Sequence, residues 1–168
     1  MMISKAMNEA INAQIGREFG ASLQYVNIAA HFDTNAYPKL AAFFYKQAEE
    51  ERDHALRFIR YVVEAGGEVA IPAITAPKAT FASAEEAFQL SLDWEMEVTR
   101  QINHLVEMAI AEKDYQTQKF LDWFVEEQLE EVNTMDTLLR ITRRLGEQNL
   151  TLLELYLPHL EDESAEED

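Results

Sequence analysis

The sequence lacks cysteine altogether and has only five glycines and four prolines among 168 residues. Without cysteine there is no disulfide framework and no thiolate metal site, so any metal ligand must be an oxygen or imidazole group. Glycine and proline are the usual residues of turns, and their scarcity leaves room for few loops. Since 48% of the residues are apolar, this composition indicates one mostly helical domain with a sizeable core.

Long apolar runs and basic residues are also scarce. No stretch approaches the roughly 18 consecutive apolar residues of a transmembrane helix, and the N-terminal segment MMISKAMNEAINAQ lacks the apolar core of a signal peptide. The formal net charge of −17 repels nucleic acid and attracts cations. We therefore expect a cytoplasmic, soluble protein that binds neither membranes nor nucleic acid.

The few helix-breaking residues divide the chain into four long helices and a shorter fifth. Ser4 is a predicted N-cap, Pro38 begins the second helix, the Gly66-Gly67 pair ends it, and Ser83 with Glu86 forms a capping-box pattern before the third. The predicted helices cover about 4–31, 38–65, 84–112, 116–146 and 148–160. The acidic end EDESAEED is expected to be disordered, so we expect one domain over residues 1–160 and a tail over 161–168.

The connections determine how the long helices are arranged. The first and third connections are short and join antiparallel neighbours, whereas residues 68–83 are numerous enough to travel the length of a bundle. This predicts an all-α fold, a four-helix bundle with one long crossover and a short fifth C-terminal helix.

A stripe with alternating steps of three and four residues can be laid along each helix to predict its inward face. On the third helix this stripe consists of Phe88, Leu92, Glu95, Thr99, Ile102, Val106 and Ala109. Each stripe is mostly apolar but has polar residues near its middle, and in antiparallel helices of similar length these lie at one level. Those that could bind a metal are Glu18, Glu51, His54, Glu95, Gln128 and Glu131.

Four carboxylates in a dry core would repel one another and cost several kcal/mol each in lost hydration. Bound cations remove both problems. Four carboxylates, one imidazole and one amide suit two hard or borderline divalent metals such as iron. The alternative is a solvated acidic face, on which runs of charged residues usually lie. A single Glu-x-x-His pair on a helix is common and does not by itself indicate a metal site.

The segments around these positions resemble the ferritin family, specifically the haem-free bacterial and archaeal ferritins. The resemblance covers nearly the whole chain and rests on the segments REFGASLQY, AEEERDHALRF, DWEMEVT and FLDWFVEEQLEEV. It implies a ferroxidase that oxidises Fe(II) with O2 or peroxide and stores a ferric mineral inside a shell of 24 subunits. The fifth helix, too short to be stable alone, supports a closed homo-oligomer.

The resemblance also implies roles for individual residues. Glu18, Glu51 and His54 would hold one iron; Glu51 would bridge to a second, held with Glu95 and Glu131, with Gln128 close by. Tyr25 would lie beside this di-iron centre, either as a redox-active group or as core packing. A third iron position would map to Glu50, Glu127 and Glu130, with Glu131 shared; its alternative is an acidic surface.

At two positions the sequence departs from the related bacterioferritins, and the first departure argues against haem binding. Bacterioferritins carry a haem-binding methionine where this chain has Arg52, so we expect no haem. They also have a second Glu-x-x-His, replaced here by Gln128-x-x-Glu131. The carboxylates of the family's three-fold channel would fall near Gln118 and Leu121, so the route of iron into a shell is left open.

Two other functions remain as alternatives. One is a non-storage di-iron peroxidase of the rubrerythrin type, against which the missing second Glu-x-x-His and the absence of a cysteine-rich module both count. The other is a non-catalytic cage or interaction protein with a degenerate metal site. The complete set of Glu18, Glu51, His54 and Glu95 argues against that.

Overall fold

Five α-helices account for most of the residues that the structure describes. The structure, a computed structural model, describes the backbone of residues 2–165 and the side chains of residues 2–159. The helices are α1 (Lys5–Thr34), α2 (Pro38–Glu64), α3 (Ala84–Glu112), α4 (Tyr115–Leu145) and α5 (Leu150–Ala165), with a 3-10 turn at Glu147–Asn149 before α5. The all-α prediction is confirmed. Among the described helices, none has both the length and the apolar character that crossing a membrane requires.

The first three helices begin where local sequence signals predicted. The Ser4 hydroxyl accepts a hydrogen bond from the Met7 amide at 2.9 Å, and the Ser83 hydroxyl accepts one from the Glu86 amide at 3.0 Å. Pro38 is the first residue of α2. Each of these groups satisfies or replaces a backbone N–H that the first helical turn leaves without a partner.

The long crossover between α2 and α3 lies along α1, held there by side-chain amides. Asn12 accepts from the Ala70 amide at 2.7 Å and donates to the Glu68 carbonyl at 2.8 Å. Gly16 permits the close approach, because a Cβ atom at this position would lie 2.5 Å from a ring carbon of Pro72. The crossover is thereby fixed against the bundle, in which α1 packs mainly on α2 and α3 on α4.

The core consists of two apolar clusters separated by a polar layer. The first, at the end where α5 docks, contains Phe32, Phe44 and Phe88. The second, towards the opposite end of the bundle, contains Ile15 and Phe124. Along every long helix, the residues between the two clusters include the polar ones that the stripes predicted.

The predicted inward stripe of α3 is partly wrong. Phe88, Glu95, Ile102 and Ala109 are buried as expected, but Leu92, Thr99 and Val106 are only half-buried. The residues buried in their place are Ser91, Val98 and Leu105. The repeat itself is right, because the buried residues also recur every seven positions. In each heptad the stripe took the residue four after Phe88, Glu95 or Ile102, whereas the buried one is three after it. Packing against the other helices therefore turns this other flank of α3 inward.

Two helix ends also differ from the sequence prediction. Helix α1 continues to Thr34 and α5 to Ala165, both beyond the predicted ends near 31 and 160. Residues 166–168 of the acidic tail lie outside the described residues. The division into a domain of residues 1–160 and a disordered tail stays a prediction.

Candidate metal centre

The polar layer between the two apolar clusters contains six side chains that are no more than 5% exposed. Helix α1 supplies one of them, α2 two, α3 one and α4 two, so every long helix contributes to the layer. They are Glu18, Glu51, His54, Glu95, Gln128 and Glu131. The structure thus turns all six residues inward, as the stripes predicted.

Glu18, Glu51 and His54 form the tightest group in the layer. One ligand atom from each lies within 4.8 Å of the others, and His54 Nδ1 is 3.4 Å from Glu51 Oε2. The spacing of Glu51 and His54, three residues apart on α2, places both side chains on one face of that helix. Two carboxylate oxygens and one imidazole nitrogen are thereby available to a single cation.

Glu95 is held by neighbours on two other helices. The Tyr25 hydroxyl donates to Glu95 Oε1. Gln128 Nε2 lies 3.2 Å from both Glu95 Oε2 and the Glu95 carbonyl oxygen, and 3.3 Å from the Thr99 hydroxyl. Because the amide nitrogen of Gln128 faces these acceptors on α3, its carbonyl oxygen is the atom left to meet a cation.

Burial dominates the electrostatics of the carboxylates. It raises the pKa of Glu51 and Glu131 well above 4.5, with further increases from the neighbouring carboxylates, and raises the pKa of Glu95 to about 7. Burial also raises the pKa of Glu18, opposed by hydrogen bonds from a protonated Glu51 and from Gln14. Without a cation, the layer therefore retains protons at a pH where exposed carboxyls have lost them.

Two observations favour a cation in this layer. Burial lowers the pKa of His54 to about 4, so the imidazole is neutral and keeps a lone pair for coordination. With every carboxyl ionised, Glu18 Oε2 is buried and has no hydrogen-bond partner. A buried acceptor of that kind is costly unless a proton or a cation meets it.

The three flanking glutamates lie beside this layer rather than in it. Glu50 and Glu127 line a pocket of about 340 Å³ that also borders His54, whereas Glu130 is exposed. All three raise the pKa of Glu131, so they lie within electrostatic reach of it. Glu50 accepts a hydrogen bond from Gln47 Nε2 at 2.6 Å.

Sequence reasoning missed two residues that contact the layer. Gln14 is fully buried and donates from Nε2 to Glu18 Oε1 at 2.7 Å; its position four residues before Glu18, on the same face of α1, was the available signal. Trp123, on α4, contacts Phe124. It also lies edge-on to His54, with ring centroids 5.3 Å apart.

Comparison with known proteins relates the chain to ferritins. A family model described as Ferritin-like domain matches residues 8–145. The chain is 39% identical over 151 residues to the bacterial non-heme ferritin of Staphylococcus aureus, covering 90% of this chain and 91% of that protein. It is 42% identical over 157 residues to ferritin BfrB of Mycolicibacterium smegmatis, and the match covers 94% of this chain and 82% of that protein.

A solved structure of an open-pore ferritin from Archaeoglobus fulgidus shares the fold, with a TM-score of 0.88 and 36% identity. The superposition covers 92% of this chain and 94% of the archaeal chain. The likeness therefore extends over nearly the whole length of both chains.

Proposed function

The chain belongs to the ferritin family, and from that premise we propose that it is a ferroxidase that stores iron. The observation that carries the proposal is the buried layer of four carboxylates with a neutral imidazole. Such a set of side chains has no structural benefit in a dry core, because the isolated charges and their mutual repulsion both oppose folding. It suits a pair of divalent iron ions.

Within the layer, each ligand has a proposed role. Glu18, Glu51 and His54 hold one Fe(II); Glu51, Glu95 and Glu131 hold a second, with the carbonyl oxygen of Gln128 close to it. Tyr25 donates to Glu95 Oε1 and so orients that carboxylate. Protons held by the metal-free carboxyls leave as iron binds, because each oxygen lone pair binds either a proton or a cation.

The proposed reaction removes one electron from each of two Fe(II) ions. With O2 as oxidant, two Fe(II), one O2 and two protons give two Fe(III) and one hydrogen peroxide. With peroxide as oxidant, two Fe(II), one hydrogen peroxide and two protons give two Fe(III) and two waters. Fe(III) then hydrolyses, releasing protons and forming the ferric mineral.

The flanking glutamates Glu50, Glu127 and Glu130 are proposed to form a third iron position, with Glu131 shared. A site formed by carboxylates alone binds hard cations, and its coordination geometry changes more readily than that of a site with an imidazole ligand. The third position would therefore serve iron in transit between the centre and the interior of a shell.

A closed cytoplasmic shell of 24 subunits is proposed as the storage form. Helix α5 buries Leu153 and Leu157 against the bundle but leaves Leu152 53% and Leu155 60% exposed. Two large leucines on one short helix favour burial against further copies of the chain, since a closed homo-oligomer removes them from water.

The test is aerobic addition of Fe(II) to the purified protein, with particle size followed by light scattering and ferric absorbance recorded. We expect a large hollow particle with a ferric core that stays in solution, and no Soret band, because Arg52 cannot ligate haem iron. A dimer that consumes peroxide without accumulating a ferric core would overturn storage in favour of a peroxidase of the rubrerythrin type.

A further inference from the structure

Gln14 connects the surface of α1 to the buried layer. It lies one helical turn before Glu18, is 0% exposed, and donates from Nε2 to Glu18 Oε1 at 2.7 Å. Its other amide atom, Oε1, accepts from Nη1 of Arg17 at 3.2 Å. Arg17 itself is exposed, so an unbroken row of hydrogen bonds leads from a surface guanidinium to a buried carboxylate.

The chemistry of the two ends determines the direction of this row. A guanidinium has only donors, so the oxygen of the Gln14 amide must face Arg17. The amide NH2 group then faces Glu18, and because NH2 only donates, it cannot itself take a cation. A hydrogen bond from this group occupies Glu18 Oε1 and leaves Glu18 Oε2, which is buried and, with Glu51 ionised, has no hydrogen-bond partner.

We propose that Gln14 is a positioning residue for iron binding, and that Arg17 holds the Gln14 amide in the orientation this requires. The inference rests on the proposed ferroxidase function. Gln14 fixes the plane of the Glu18 carboxylate so that one oxygen faces the group formed by Glu51 and His54, whose ligand atoms lie within 4.8 Å of one from Glu18. Groups that orient a metal ligand in this way change metal affinity or activity by about 10- to 100-fold when removed.

The same helix provides a matched control. Gln24 is also a buried amide, 4% exposed, and both of its amide atoms are used: it accepts from the Lys78 amide at 2.8 Å and donates to the Lys78 carbonyl at 3.1 Å. These bonds hold the crossover rather than a carboxylate of the layer. If the loss of a buried amide as such weakened metal binding, Gln24→Met and Gln14→Met would weaken it alike. If Gln14 positions a ligand, only Gln14→Met weakens it.

The experiment uses the assembled protein and two redox-inert probes, Zn2+ by calorimetric titration and Co2+ by its visible absorption. For Gln14→Met we expect the affinity of one Zn2+ site to fall by about 10- to 100-fold and the Co2+ spectrum to change. The Fe(II) concentration at half-maximal oxidation rate should rise in parallel. Gln24→Met should leave all three readouts at wild-type values.

Arg17 supplies an independent test at an exposed position, where a substitution does not threaten folding. Arg17→Met should weaken Zn2+ binding in the same direction as Gln14→Met but by less, and Arg17→Lys, which restores a donor to Gln14 Oε1, should recover most of the wild-type affinity.

Two results would overturn the assignment of Gln14. One is a Gln14→Met variant that binds Zn2+ and Co2+ like wild type, or no worse than Gln24→Met. The other, decisive if Gln14→Met does not fold, is an Arg17→Met variant with unchanged affinity and spectrum. Failure of the wild-type protein to bind either probe in the layer is a different outcome, since it would overturn the proposed centre itself.

Discussion

The carboxylate of Glu154, in α5, accepts a hydrogen bond from the backbone amide of Lys39 at 2.7 Å and so caps the first turn of α2. The same oxygen is 3.2 Å from the Leu40 amide. The negative charge lies where the positive end of the α2 dipole favours it. A side chain of the last helix thereby completes the start of the second, which ties the docking of α5 to the integrity of the bundle.

Glu154→Ala should therefore destabilise the protein, because it leaves two amides at the start of α2 without an acceptor. Losing a helix cap typically costs about 0.5–2 kcal/mol, which lowers the melting temperature by a few degrees in a domain of this size. Glu154→Gln keeps an oxygen acceptor without the charge and should lose less. Calorimetric melting of the three proteins checks this order; an alanine variant that melts with wild type would contradict the docking role.

Glu51→Ala and His54→Ala should each abolish rapid iron oxidation while leaving the helical fold intact. Both residues are proposed iron ligands, and loss of Glu51 would affect both iron positions. We expect the initial rate to fall by at least about 100-fold, measured by stopped-flow absorbance after mixing with Fe(II) in air.

The neighbouring exposed residue gives the control for those two variants. Arg52→Ala removes a surface side chain between them in the sequence and should oxidise iron at the wild-type rate. Wild-type rates in both Glu51→Ala and His54→Ala would exclude the proposed centre.

The metal-free protein should lose stability as the pH rises from about 4.5 towards about 7. Burial raises the folded-state pKa of Glu18, Glu51, Glu95 and Glu131 above the ordinary value of 4.5, with Glu95 at about 7. In this window the folded state binds more protons than the unfolded state, so the free energy of unfolding falls with rising pH. The pKa of His54 is lowered to about 4, so this residue alone makes the free energy of unfolding rise with pH. It is one group, whereas four carboxyls have the opposite effect.

Thermal melts with a chelator, and again with Zn2+, at about pH 5.5 and about pH 7.5 would measure this dependence. Zn2+ should stabilise more at the higher pH, where fewer protons compete for the carboxylates. Glu51→Gln removes one of the titrating groups and should flatten the chelator curve. An unchanged slope in that variant would show that the layer does not govern the pH dependence.

Glu130→Ala should leave the first two irons per subunit oxidising at nearly the wild-type rate, because Glu130 is exposed and lies outside the buried layer. What should change is the rate of later turnovers and the ratio of iron oxidised to oxygen consumed, since the third position handles iron that leaves the centre. Stopped-flow oxidation at low and at high iron, with oxygen uptake recorded in parallel, tests both.

Glu126→Ala, also exposed and on α4, removes an acidic residue outside the proposed third position and should match wild type at both iron levels. If Glu130→Ala also matches wild type at both levels, Glu50, Glu127 and Glu130 are only an acidic surface.

The sequence by itself determined the features that depend on neighbours along the chain. The starts of α1, α2 and α3 follow from Ser4, Pro38 and Ser83, each of which acts within one turn of its own helix. The shared face of Glu51 and His54 follows from their three-residue spacing. The resemblance to ferritins followed from short segments and needed no coordinates.

The tertiary structure decided whatever depends on contacts between helices. The rotation of α3 that buries Ser91, Val98 and Leu105 is set by packing against the other helices. The residue pattern of α3 alone does not predict this rotation. The contact of Trp123 with His54 and the cap that Glu154 places on α2 join residues far apart in the chain. Spacing along a helix fixes which residues share a face, but only the packed bundle brings partners from different helices within hydrogen-bonding distance.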